Sequence, residues 1–216
     1  MPPLVTYSRS AEHPVDAVMV LLHGLGASGH DFADMAAEFV SAPYNLKLIL
    51  PHAPTRPLTI AGGEVVPSWY DILSTGQTRV LNEEHVKQSV NTVHTLLQEE
   101  DNTLPHFVAG FSQGGAVALE SFLTLPVTLS GGLAMSTYVP GEVCEAKNHQ
   151  NEQTPILMQH GSFDPVVPFE LGQSSAQRLK AAGFDVTFES YPMQHQLCLP
   201  QIRAIRQWLT PLVSGR

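Results

Sequence analysis

The chain has 216 residues and a formal charge of −9, with 43% apolar and only 14% charged residues. Soluble domains are typically about a quarter charged, so the polar surface here is built largely from Ser, Thr and Gln. The longest purely apolar run is the six residues Ala17 to Leu22, against the ~20 needed to span a bilayer, and an acidic chain with no basic cluster argues against nucleic acid and anionic lipid as main partners.

Met1-Pro2-Pro3-Leu4 has no basic segment leading into an apolar one, so the start does not read as a signal peptide. Neither end carries a lipidation signal. Two cysteines, Cys144 and Cys198, make no disulfide framework and no zinc set, and they suit a reducing interior. The expectation is a cytoplasmic protein of one domain over 1–216, with no metal and no cofactor.

In chain order, apolar runs and helical stripes alternate, the pattern of a mostly parallel sheet flanked by helices. Asp16 to His23 and Leu46 to Leu50 read as buried strands. Pro51 to Arg79 is long for a structureless loop, and its middle, Leu58 to Val66, resembles a hairpin turning at Gly62-Gly63. An aromatic pair follows in Ser68-Trp69-Tyr70-Asp71; packing on the core and walling a binding site are both open readings of this segment. Val86, Val90, Val93 and Leu97 form a helical stripe.

His106 to Ala109 is a further strand and Ala116 to Leu123 a helix. Gly132 to Met135 and Ile156 to Gln159 are strands separated by a polar segment, Glu142 to Thr154, that reads as a surface loop. Glu170 to Ala182 is helical, closed by Gly183. Asp185 to Tyr191 alternates like a strand near a sheet edge, and Ile202, Ile205, Leu209 and Leu212 mark a last helix.

The sharpest chemical signal is Gly110-Phe111-Ser112-Gln113-Gly114-Gly115, between a strand and a helix. A serine on such a turn points its hydroxyl out of the sheet, and the glycines let neighbouring backbone come close. The hydroxyl needs a base, and the base needs an acid to orient it. In hydrolases with this turn the chain order is Ser, acid, His. Of ten histidines only His149, His160 and His195 follow Ser112. His149 lies in the polar segment and His160 ends a strand, which leaves His195, just after Asp185 to Tyr191. The acid belongs at the end of the preceding strand, where Asp164 stands; Glu170, Asp185 and Glu189 lie in or beside regular elements and fit less well.

A tetrahedral oxyanion needs two backbone donors. One is the amide of Gln113, and the other fits Leu25 in Leu22-His23-Gly24-Leu25-Gly26, where the glycines permit the turn. Neither phosphate-loop pattern is present there, so nucleotide binding is not expected.

On these residues the sequence resembles the carboxylesterase and acyl-protein thioesterase family of α/β-hydrolases. The likeness runs from about Val18 to Leu209 and is carried by Leu22 to Gly26, Gly29-His30-Asp31-Phe32, Pro67 to Ile72, Gly110 to Gly115, Leu133 to Tyr138, His160 to Pro168 and Met193-Gln194-His195. It implies an α/β-hydrolase fold with Ser112 as nucleophile, Asp164 as acid, His195 as base and the Leu25 and Gln113 amides as oxyanion donors, in agreement with the residue-level reading. It also implies that Leu58 to Leu73 borders an acyl-binding groove, with Trp69 and Leu73 as substrate-binding residues.

The family usually places a small residue after the histidine and an acidic one a few positions on, where this chain has Gln196 and Pro200. At 216 residues the fold leaves almost no room for a separate cap domain. The expected partner is a small acyl ester or thioester, or an acylated protein, without stable membrane insertion. A lysophospholipase or other hydrolase on this fold, and a non-catalytic binding protein, are the alternative readings. Monomer and homodimer both stay open, an apolar edge near Trp69 being one candidate contact.

Overall fold

The computed structural model describes residues 1–33, 44–75, 79–141 and 149–215. Its centre is a seven-stranded sheet in the order β1-β3-β2-β8-β9-β10-β11. The strands are β1 (Leu4–Tyr7), β2 (Ala17–Leu22), β3 (Leu46–Leu50), β8 (His106–Phe111), β9 (Gly131–Met135), β10 (Ile156–Gly161) and β11 (Val186–Tyr191). Only β1 is antiparallel to its neighbour; every other pair in the sheet is parallel.

Parallel strands covered on both faces read as unbroken apolar runs, and β2 is buried at all six positions. Its residues nevertheless divide by the two-residue period of a strand. Val18, Val20 and Leu22 join one core cluster, and Ala17, Met19 and Leu21 join the other. The first cluster is covered by α1 (Glu83–Gln98), α2 (Gln113–Thr124) and α3 (Phe169–Ala181), the second by α4 (Leu199–Ser214).

The stripes expected of α1 and α4 are the buried ones: Val86, Val90, Val93 and Leu97, and Ile202, Ile205 and Leu209, with Leu212 partly covered. Asn82 caps α1, accepting the His85 N–H at 3.1 Å. Pro200 stands in the first turn of α4, where a missing N–H breaks no helical bond, so this departure from the family pattern is absorbed by the helix start.

The hairpin read around Gly62-Gly63 is present: β4 (Thr55–Leu58) pairs antiparallel with β5 (Glu64–Pro67), and both glycines have positive φ. Asp71 ties it down, accepting the N–H and the hydroxyl of Thr59 at 2.7 and 2.6 Å. Three short strands carry no periodic signal and were not expected: β1, and the pair β6 (Ile72–Ser74) and β7 (Val80–Leu81).

The segment Glu142 to Thr154 corrects the surface-loop expectation in its second half; residues 142–148, including Cys144, lie outside the described residues. A 3₁₀ turn at His149–Asn151 buries Asn151 completely. Its carboxamide accepts the Leu129 N–H and donates to the carbonyls of Phe122 and Val127, so one polar side chain fastens the loop to the end of α2.

His23, His106 and His160 are buried, and burial is the largest cause holding each below the ordinary histidine value. Below about pH 6.5 the unfolded chain takes up protons that these three sites resist, so stability must fall with pH there. Thermal unfolding followed from about pH 8 to about pH 5 is therefore expected to show a midpoint that is flat at first and then drops. A midpoint that rises on acidification contradicts the burial of these rings as neutral groups.

Candidate active site

Strand order reverses between β2 and β8, and in open parallel sheets ligands bind at the carboxyl ends of strands beside such a reversal. The loops leaving β2, β8, β9, β10 and β11 all emerge at that end. They carry, in turn, Gly24-Leu25, Ser112, Ser136 to Tyr138, Asp164 and His195.

Ser112 sits on the turn from β8 into α2 with φ 54° and ψ −119°, a sparsely populated conformation that costs of the order of 1–3 kcal/mol. Its neighbours hold it there. Its N–H donates to the Met135 carbonyl at 2.9 Å, and its carbonyl accepts the Thr137 hydroxyl at 2.6 Å. The turn closes because there are no side chains inside it: a Cβ on Gly110 would lie 2.3 Å from the Gly114 backbone, and one on Gly114 would lie 2.4 Å from the carbonyl oxygens of Leu22 and His23. The G-x-S-x-G spacing is thus a record of backbone packed on backbone.

His195 Nε2 lies 2.9 Å from Ser112 Oγ, and its Nδ1 lies 2.7 Å from Asp164 Oδ2. A carboxylate can only accept, so Nδ1 carries the proton and Nε2 is free to accept the serine hydroxyl. The Asp164 carboxylate is fully buried; its other oxygen accepts the N–H groups of Val166 and Val167 at 2.8 and 2.9 Å. His160 Nε2 is 3.6 Å from Asp164 Oδ2 but donates to the Val167 carbonyl at 2.9 Å. Burial keeps it neutral, so it braces the acid loop rather than forming an ion pair. The histidine loop reaches the acid loop over Gly161, where a Cβ would meet the carbonyl oxygens of Met193 and Gln194 at 2.4 Å.

Gln113 opens α2, so its N–H has no helical partner. Its side chain faces the other way and is buried. Oε1 accepts the Trp69 N–H at 2.7 Å, and Nε2 donates to the Tyr70 carbonyl at 2.6 Å and to Ser68 Oγ at 3.0 Å. One residue therefore presents a backbone donor beside Ser112 and fastens the Ser68 to Tyr70 loop against the elbow. Among the described residues neither the Gln113 nor the Leu25 N–H makes a hydrogen bond within the chain.

A cleft of about 410 Å³ opens over Ser112, lined by Leu25, Ile60, Tyr70, Ile72, Phe111 and Tyr138 among others. Tyr70 and Tyr138 share a hydroxyl–hydroxyl bond of 2.9 Å, and burial raises both phenols above their usual range, so this wall is uncharged. Among the described residues no group of His, Cys, Asp and Glu is arranged to hold a metal.

Comparison with known proteins identifies the family. The phospholipase/carboxylesterase family model matches residues 7–212. The chain belongs to that family. It is 37% identical over 210 residues to acyl-protein thioesterase 1 of Neurospora crassa, covering 90% of this chain and 86% of that protein. It is 34% identical over 216 residues to acyl-protein thioesterase 1 of Cryptococcus neoformans, covering 89% and 91%. Among solved structures it superposes on Zea mays acyl-protein thioesterase 2 with a TM-score of 0.89 at 28% identity, covering 98% of this chain and 99% of that one. Arabidopsis thaliana SOBER1 gives 0.84 at 30% identity, covering 92% and 99%. The fold is the α/β-hydrolase fold, and the protein is a hydrolase of this family.

Within this family fold, Ser112, Asp164 and His195 come together as expected, and Leu25 and Gln113 flank the serine. Trp69 and Leu73 do not line the cleft. Trp69 is 1% exposed; its indole N–H donates to the His23 carbonyl at 2.8 Å, and its ring lies 5.0 Å from that of His23. It packs under the loop that follows β2. Leu73 is 42% exposed, one residue along β6 from Ile72 and hence on the opposite face. The cleft is lined instead by their neighbours Tyr70 and Ile72, together with Tyr138 and Arg79, whose guanidinium lies 5.1 Å from the Tyr138 ring centroid.

Gln113→Ala keeps the backbone N–H but strands the buried Trp69 N–H, while the Tyr70 carbonyl keeps the Ser68 hydroxyl at 2.6 Å. At about 1–3 kcal/mol for one unsatisfied buried group, chemical denaturation is expected to show a loss of about 1–3 kcal/mol. Steady-state kinetics should show KM rising more than kcat falls, because the Tyr70 wall loosens while the donor remains.

Proposed function

We propose that Ser112, His195 and Asp164 are the catalytic triad of this hydrolase, and that it cleaves carboxylic esters and acyl thioesters through an acyl-enzyme on Ser112. The observation that carries this reading is the unbroken chain from Ser112 Oγ through His195 to the buried Asp164 carboxylate, at 2.9 and 2.7 Å. His195 Nε2 takes the Ser112 proton as Oγ bonds to the acyl carbon. The carbonyl oxygen becomes an oxyanion between the Leu25 and Gln113 N–H groups. As that intermediate collapses, the bond to the leaving oxygen or sulfur breaks, and His195 gives its proton to the leaving group. Water then repeats the sequence, releasing the acid and restoring Ser112.

The thioester half of the reading is supported by the names of the relatives, which are acyl-protein thioesterases. The cleft itself favours an acyl chain: its wall is mostly apolar, and the described residues lining it include no carboxylate. No helix among the described residues is long and apolar enough to cross a membrane. A cytoplasmic protein acting on small acyl esters and thioesters or on acylated proteins is the reading we adopt, and capture of such substrates would depend on the apolar cleft rather than on charge.

Ser112→Ala is expected to abolish hydrolysis of a p-nitrophenyl ester and labelling by a fluorophosphonate. Asp164→Asn should lower kcat by up to about 10⁴-fold with the fold intact, because the wrong histidine tautomer then faces the serine. Full esterase activity in Ser112→Ala would overturn the assignment, and a panel of short-chain esters, long-chain acyl thioesters and lysophospholipids would separate the substrate classes.

A further inference from the structure

Accepting the oxyanion-donor role given above to the Leu25 N–H, we infer that the side chain of His23 is the positioning residue that aims this donor. His23 is fully buried at the end of β2. Its Nε2 lies 3.0 Å from the Ala53 backbone nitrogen, whose N–H can only donate. Nε2 is therefore the unprotonated nitrogen and Nδ1 carries the hydrogen. That hydrogen is directed at the Gly24 carbonyl oxygen, 2.8 Å away.

The Gly24 carbonyl and the Leu25 N–H belong to one peptide group. In a planar trans peptide these two bonds point in opposite directions, so a bond that fixes the carbonyl on one side fixes the N–H on the other. The carbonyl is held twice, by His23 Nδ1–H and by the Ala27 N–H at 3.2 Å. The far side of this peptide is the reaction side. A Cβ on Gly24 would lie 3.6 Å from Ser112 Cβ, and Gly24 and Leu25 both line the cleft. The remainder of the loop is tethered by the Gly26 N–H to the Pro67 carbonyl at 2.9 Å.

The imidazole is itself held from several sides. Ala53 supplies one hydrogen bond, the Trp69 ring lies against it, and the Trp69 indole N–H takes the His23 carbonyl. Trp69 and Gln113 meet through the Trp69 N–H. The two proposed oxyanion donors are thus built on one buried lattice: Gln113 supplies a donor and anchors Trp69, and Trp69 backs His23, which aims the other donor. A mobile Gly24-Leu25 peptide would pay reorganisation in every turnover, whereas a preset donor does not.

The test compares His23→Phe, which keeps the ring against Trp69 but has no donor, with His23→Asn, whose amide nitrogen takes the place of Nδ1. In His23→Phe, kcat for a p-nitrophenyl ester is expected to fall about 10- to 100-fold, short of the roughly 10²–10³-fold cost of losing an oxyanion donor outright, with KM within about twofold. His23→Asn should recover most of kcat despite losing the Ala53 bond. Affinity for a trifluoromethyl ketone, which forms a tetrahedral adduct on the serine, should fall in His23→Phe by the same factor as kcat, and affinity for the corresponding unreactive alcohol should not change.

Thermal midpoints measured alongside give the folded fraction, to which rates are normalised. The inference is overturned if His23→Phe keeps wild-type kcat, if folded His23→Asn is as slow as His23→Phe, or if ketone and alcohol weaken together. An active Ser112→Ala would instead overturn the triad reading on which the inference rests. A normal His23→Phe beside an inactive Ser112→Ala would remove the positioning role alone.

Discussion

The backbone of Ser112, at φ 54° and ψ −119°, is the constraint around which the reaction end of this molecule is arranged. A turn that tight requires the start of α2 to press against both β8 and the end of β2. The contacts at Gly110 and Gly114 show how little space is left. Because the turn touches β2, Ser112 and the loop carrying Leu25 cannot move independently. Because its N–H is bonded to Met135, it is also registered to β9. The strain at one residue is offset by the surrounding sheet, which determines where each loop of the site begins.

The second organising element is a set of buried polar side chains that face backbone rather than one another. Gln113, Asn151, His23, His160 and Asp71 each satisfy backbone donors or acceptors of a loop that would otherwise leave them unpaired. Such bonds add little net stability when made and cost much when broken. Their contribution here is geometric. They convert connecting segments, normally the most mobile part of a fold, into rigid walls for a site that depends on distances of about 3 Å.

Charge at this end is arranged sparingly. The Asp164 side chain is buried with the Val166 and Val167 N–H groups and the His195 and His160 rings around it, and burial holds His160 below the ordinary histidine value. The phenols of Tyr70 and Tyr138 stay protonated. In a chain of net charge −9, Arg79 is the one permanently charged side chain among the described residues that line the cleft. An acyl chain entering it meets mostly apolar and neutral surface.

Much of this was legible in the residues. Apolar runs and stripes are local signals, and they placed six strands of the main sheet and the four long helices of the described residues within a few residues. That Ser112, Asp164 and His195 would meet was legible because parallel sheets put every loop that follows a strand at one end, so chain order becomes spatial order. Other features depended on contacts between distant segments. The four residues of β1 become a strand only by pairing with β3, and Asn151 becomes a buried anchor only through the end of α2 and the residues that follow it. Trp69 and Leu73 were misplaced for a related reason: a loop sequence does not say which of two neighbours faces the cleft, and the Gln113 carboxamide and the pleat of β6 decide for Tyr70 and Ile72. The same holds for His23, whose place next to Gly24 is visible in the sequence. Its role is decided by Ala53, thirty residues away, because only that bond sets which ring nitrogen holds the proton.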